Sequence, residues 1–145
     1  NINNQNPIAV IVENNQIKKI FKDDRESVAY SISKDGNIIV GTYKHPKENT
    51  TRGFIYLYNN NKIVDVSNLL ESYFDKYYYL KRHTVTSVFL RSIDFTRAFP
   101  YVNEIHRISS NGNYIVGKAY NLEKGIFQPF CANISGILQY NMFIF

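Results

Sequence analysis

The sequence contains no tryptophan, and only one cysteine and one methionine among its 145 residues. A single thiol, Cys131, cannot close an internal disulfide, so any fold has to be held by packing. Cysteine usage therefore leaves a cytosolic and a bacterial-envelope location both open. Glycine and proline are scarce, at 7 and 4 residues, so each carries positional meaning. Apolar runs such as 8–12 are far shorter than the roughly 20 residues a spanning helix needs, so no membrane span is expected. No basic segment followed by an apolar core is visible as a secretory leader. The chain begins at Asn1 rather than methionine, which reads as a trimmed or truncated product.

Catalytic motifs are missing as well. There is no Gly-x-Ser-x-Gly elbow and no glycine-rich phosphate loop. His45, His83 and His106 stand at no metal-ligand spacing and read as structural or solvated. Cys131, between Phe130 and Ala132, reads as a small buried hydrophobe rather than a nucleophile. The acidic cluster Asp23, Asp24 and Glu26 reads as solvated surface. The expectation is a chain with no catalytic residue, no metal and no cofactor.

What the sequence has in abundance is tyrosine and phenylalanine, 12 and 10 residues, which favour half-buried pleated surfaces. Hydrophobic residues make up 44% and charged residues 20%, enough apolar surface for a folded core. The formal net charge is +5, a mild surplus that favours acidic partners without requiring them. The many asparagines and isoleucines are what an AT-rich genome would encode.

The strongest signal is internal. Residues 32–41 read ISKDGNIIVG and residues 108–117 read ISSNGNYIVG, identical at seven of ten positions and 76 residues apart. Phe54 and Phe130 each follow the block's last glycine by thirteen residues. Alternation predicts strands over 27–33 and 37–43, joined at Asp35-Gly36, a dipeptide suited to a type I′ turn. Asn111-Gly112 repeats that turn. Gly41 and Gly117, late in the second strand, predict a bulge or a close backbone approach. A polar loop follows over 44–52, then strands over 54–58 and 62–66 around Asn59, Asn60 and Asn61. Several strands are apolar on both faces, which predicts sheets covered on both sides.

Residues 8–21 parallel 54–66 at an offset of 46, as the back half of a preceding unit. The expected organisation is a single repeat domain over 1–145. It comprises a partial unit (1–21), a unit (27–66), an insertion (67–102) and a second unit (103–140). In the insertion, Ser67 is the expected cap of a short helix from Asn68 to about Tyr78, with a strand over 84–90.

The pattern Ile-Ser-x-Asp/Asn-Gly-x-x-Ile-Val-Gly, followed by a phenylalanine-bearing strand and a polar turn, resembles the HAF-repeat family of bacterial extracellular repeat proteins. The stretch 104–135 is similar to that family's last repeat. The His-Ala-Phe triplet itself departs, standing here as Arg52-Gly53-Phe54 and Gln128-Pro129-Phe130. The resemblance implies a secreted or surface-exposed bacterial protein with propeller-like repeats and no established enzymatic activity. Its motif positions Asp35, Gly36, Gly41, Asn111, Gly112 and Gly117 are turn residues, not ligand residues.

The expected fold is all-β, mostly antiparallel, with four-stranded propeller-like blades in an incomplete propeller and one short helical insertion. About two units fall short of the four to eight blades a propeller uses. The expected function is a non-catalytic scaffold or binding module of a secreted or surface protein, with a protein or glycan ligand. Open blade edges offer a route to self-association. The binding face is expected on the loops 44–52 and 118–127 with the insertion. The alternative is a polyanion or nucleic-acid binder using the basic aromatic patch over 73–97. There Tyr77, Tyr78, Tyr79, Lys81, Arg82 and Arg91 interleave stacking and phosphate-binding groups. The mild charge disfavours nucleic acid, and a cytoplasmic location stays open.

Overall fold

The computed structural model describes residues 6–70, 101–121 and 125–136. Among the described residues there are nine strands, in chain order β1 (Val10–Glu13), β2 (Gln16–Lys19), β3 (Ser27–Ile32), β4 (Ile38–Lys44), β5 (Thr51–Leu57), β6 (Lys62–Asp65), β7 (Tyr101–Ile108), β8 (Tyr114–Asn121) and β9 (Ile126–Asn133). They form three antiparallel sheets, ordered β1-β2, β3-β4-β5-β6 and β7-β8-β9. Every connection inside a sheet is a hairpin, so sequence order and spatial order coincide.

The middle sheet is covered on both faces. Alternate residues of β4 and β5 separate into two buried clusters, as the two-residue period of a strand requires. Ile39, Tyr43, Phe54 and Tyr56 pack with Ala9, Ile20 and Phe21 from the β1-β2 segment. Val40, Ile55 and Leu57 pack on the opposite side with Val102, Ile105, Ile115, Ala119 and Ala132 of the third sheet. The expected double coverage therefore holds for β4 and β5. It does not hold along β3, where Tyr30 and Ile32 are exposed beside the third sheet.

The turns explain the duplicated block. Gly36 N–H donates to the Ser33 carbonyl at 3.0 Å, and Gly112 N–H to the Ser109 carbonyl at 2.9 Å. The Ser33 hydroxyl donates to the Asp35 carboxylate at 2.6 Å and accepts from Ile38 N–H at 3.1 Å. Ser109 does the same with Asn111 at 2.7 Å and Tyr114 N–H at 3.0 Å. Asp35 and Asn111 each also accept from the backbone two residues on, Asn37 N–H and Asn113 N–H. One oxygen acceptor is all that position requires, and Asp and Asn both supply it.

The turn type differs from the type I′ expectation. Positive φ occurs at Gly36 (76°) and Gly112 (77°) but at neither Asp35 nor Asn111. The loop spans four residues, 34–37, and the glycine closes the turn instead of sharing its centre. The two-residue loop with both φ values positive is at Asn14 (51°) and Asn15 (62°), between β1 and β2.

Bulges interrupt each inner pair: Tyr30 is unmatched between β3 and β4, and Asn103 and His106 between β7 and β8. The glycines opposite the Tyr30 and His106 bulges are sterically required. A Cβ on Gly41 would fall 2.9 Å from the Val28 carbonyl carbon, and one on Gly117 would fall 2.8 Å from that of Glu104.

After β6 the chain turns helical over 66–70. The cap is Asp65, whose carboxylate accepts Asn68 N–H at 2.9 Å, and not Ser67. Ser67 is buried and instead accepts Val102 N–H at 2.8 Å, tying the helix start to β7. The expected continuation to Tyr78, the strand over 84–90 and a fourth strand for the last sheet lie outside the described residues. No helix among the described residues is long and apolar enough to cross a membrane.

Candidate functional site

The two duplicated hairpins meet edge to edge. Lys34 N–H donates to the Ser110 carbonyl at 2.9 Å, and Ile108 N–H to the Ser31 hydroxyl at 3.2 Å. This contact sets the bulged residues Tyr30 and His106 against each other, ring centroids 5.5 Å apart. Bulges redirect side chains out of the pleat, which is why both rings reach the surface.

From His106 a continuous strip crosses the outer face of the third sheet. His106 Nε2 lies 3.0 Å from Glu104 Oε2, and Lys118 Nζ lies 3.4 Å from the same oxygen. The Lys118 ammonium sits 4.6 Å from the centre of the Phe127 ring. Phe127 meets Tyr120 edge-on at 5.1 Å. Strand register explains the alignment, since Glu104 pairs with Lys118 and Tyr120 with Phe127 on one face. The strip offers flat aromatic surface with one half-buried carboxylate and one partly exposed ammonium. That chemistry suits recognition by stacking and hydrogen bonding.

Sequence reasoning missed this strip. The bulge glycines were its only readable trace, because exposure of Tyr30, His106 and Phe127 depends on which sheet face stays open. Cys131, expected to be buried, is exposed. It pairs with Val116 on the outer face, while Ala132 points into the core. The loop placed at 118–127 is largely strand, since β8 runs to Asn121 and β9 starts at Ile126. Tyr77, Tyr78, Tyr79, Lys81, Arg82 and Arg91 lie outside the described residues. Asp35, Gly36, Gly41, Asn111, Gly112 and Gly117 occupy the two turns and the two bulge sites above.

A second polar cluster closes the far end of the middle sheet. Tyr43 donates its hydroxyl to Asp65, and Arg52 lies 3.5 Å from both Asp65 and Glu48. Burial, and then the bond to Asp65, push the Tyr43 hydroxyl above its ordinary pKa. Phe21 stacks on Tyr43 at 5.1 Å, and the Arg25 guanidinium lies 5.1 Å from the Phe21 ring. Arg25 is held by Asp23 at 2.8 Å, and this bond keeps the Asp23 carboxyl below its usual range. These bonds join the first connection to the middle sheet and are structural. His45 serves a loop, its Nδ1 accepting Glu48 N–H at 3.2 Å. Among the described residues, no group of three His, Cys, Asp or Glu could hold a metal ion.

No family model, curated protein or solved structure matches the chain.

Proposed function

We propose that the chain is a non-catalytic repeat module of a bacterial secreted or surface protein, acting as a scaffold or binder for a protein or glycan. The observation that carries this reading is the direction in which the sheets pack. Ile39, Tyr43, Phe54 and Tyr56 of the middle sheet face the preceding sheet. Their counterparts 76 residues on are Ile115, Ala119, Phe130 and Ala132, and these in turn face the middle sheet. Ala9 and Ile20, which stand 46 residues before Ile55 and Val66, likewise face forward. The middle sheet thus sets one face on its predecessor and the other on its successor, and the first and third sheets pack in the same direction at their one junction each. This is the nearest-neighbour logic of repeat proteins and of propeller blades. The resemblance to HAF-repeat proteins supports the extracellular placement.

The ligand surface in this reading is the strip from Tyr30 to Phe127. The test is a binding screen of the folded chain against bacterial polysaccharides and against immobilised copies of itself. Wild type is compared with the Tyr120→Ser/Phe127→Ser pair, with circular dichroism as the control on folding. At least tenfold weaker binding by the pair, with an unchanged spectrum, supports the reading. Equal binding, binding to neither probe, or turnover of an ester, phosphate or glycoside substrate overturns it.

A further inference from the structure

We infer that copies of this chain stack head to tail, the outer face of β7-β8-β9 on one copy seating against the outer face of β1-β2 on the next. The inference rests on the repeat reading and names its partner. The outer face of the first sheet exposes Val12 (68%) and Ile17 (73%), a cross-strand pair, with Val10 beside them. The outer face of the third sheet exposes Val116 (41%) and Phe127 (56%), with Cys131 paired to Val116. Isolated exposed apolar residues need no explanation, but two clustered sheet faces do.

The internal junctions say what covers these faces. Val10 stands 46 residues before Tyr56, and Tyr56 is buried against a preceding sheet. Val116 and Cys131 stand 76 residues after Val40 and Ile55, which are buried against a following sheet. One open face therefore has the character of a receiving face and the other that of a presenting face. The two are of opposite kind and lie at opposite ends of the stack. Such a contact is heterologous: it uses two different surfaces and propagates, closing into a ring or running on as a filament.

The heterologous geometry makes a specific test. Wild type, Val12→Lys, Val116→Lys and an equimolar mixture of the two variants are examined by light scattering across a concentration series. Hydrogen exchange reports in parallel on the three sheets. Wild type is expected to exceed monomer mass, each variant alone to stay monomeric, and the mixture to stop at a dimer. Only the mixture pairs one intact face of each kind. As a second readout, Val10→Cys is oxidised in the otherwise unaltered chain. Ala132, the counterpart of Val10, shares a buried cluster with Ile55, the counterpart of Cys131. A ladder of disulfide-linked species that wild type lacks is therefore expected.

A wild-type monomer at every concentration, with all three sheets protected, overturns the stacking and leaves the repeat reading standing. Self-association persisting in either lysine variant alone, or a Cys131–Cys131 dimer in oxidised wild type, overturns the head-to-tail arrangement. Absence of protection in β7-β8-β9 overturns the repeat reading itself.

Discussion

At the scale of single residues, the glycines divide into two kinds with different predicted sensitivities. Gly41 and Gly117 sit across from bulges, where a methyl group would collide with backbone that cannot swing aside. Gly41→Ala and Gly117→Ala should each destabilise the chain by about 2–3 kcal/mol, the upper part of the range for overpacking a tight site. Gly36 has open space around it and is constrained only by its φ of 76°. Gly36→Ala should cost about 1 kcal/mol, as expected for a left-handed residue gaining a Cβ. Urea unfolding of the three variants checks both the size and the order. Asp35 gives a pH test. The Ser33 hydroxyl and then the Asn37 amide hold its carboxyl below the ordinary value of 3.8. A depressed folded pKa stabilises the protein above the unfolded pKa and is lost as pH falls through the folded one. The stability of wild type relative to Asp35→Asn should therefore decline as pH drops below 3.8, measured by unfolding curves at a series of acidic pH values.

At the scale of elements, the far end of the middle sheet depends on a charge cluster that links β4, β5 and β6. Arg52 and Asp65 side chains are only 8% and 11% exposed, so losing one partner leaves a desolvated charge. Arg52→Met should cost about 3 kcal/mol, the lower end for breaking a buried pair, and Arg52→Met/Asp65→Leu should recover part of it. A double-mutant cycle in urea measures the difference. The same cluster sets an alkaline limit. Because Tyr43 has a raised folded pKa, its contribution is intact below the unfolded value of 10.0 and is lost as pH climbs above it. Tyr43→Phe should show a smaller loss of stability over that alkaline range.

Strands β3 and β4 were readable because alternation and an Asp-Gly turn coincide, and the bulge glycines announced themselves by position. The turn type was not readable. Asp35-Gly36 suits a two-residue loop, but the hydroxyl of Ser33 holds a four-residue one by bonding both Asp35 and Ile38. Ser67 likewise looked like a cap, yet its hydroxyl is taken by Val102, 35 residues away. Long-range partners of this kind leave no local trace. The strip from Tyr30 to Phe127 was hidden for the same reason, since it joins residues from four strands.

For the whole molecule, sheets that bury their faces only against neighbours make stability depend on order in the stack. Removing residues 1–21 takes away Ala9, Ile11, Ile20 and Phe21, which pack on Ile39, Tyr43, Phe54 and Tyr56. Exposing even two of those large side chains costs about 3–6 kcal/mol. A domain of this size has on the order of 5–15 kcal/mol in total. The truncated chain should therefore bind a hydrophobic dye and melt over a broad range, seen by ANS fluorescence and calorimetry. An apolar residue on the open end of the stack carries no such burden. Val116→Ser, which opens no buried cluster, should shift stability by no more than about 0.5 kcal/mol at concentrations where the chain is monomeric. Sensitivity that is large at the junction and small at the free face follows from directional packing. Equal sensitivity at both would mean that the third sheet's outer face is covered within a single chain.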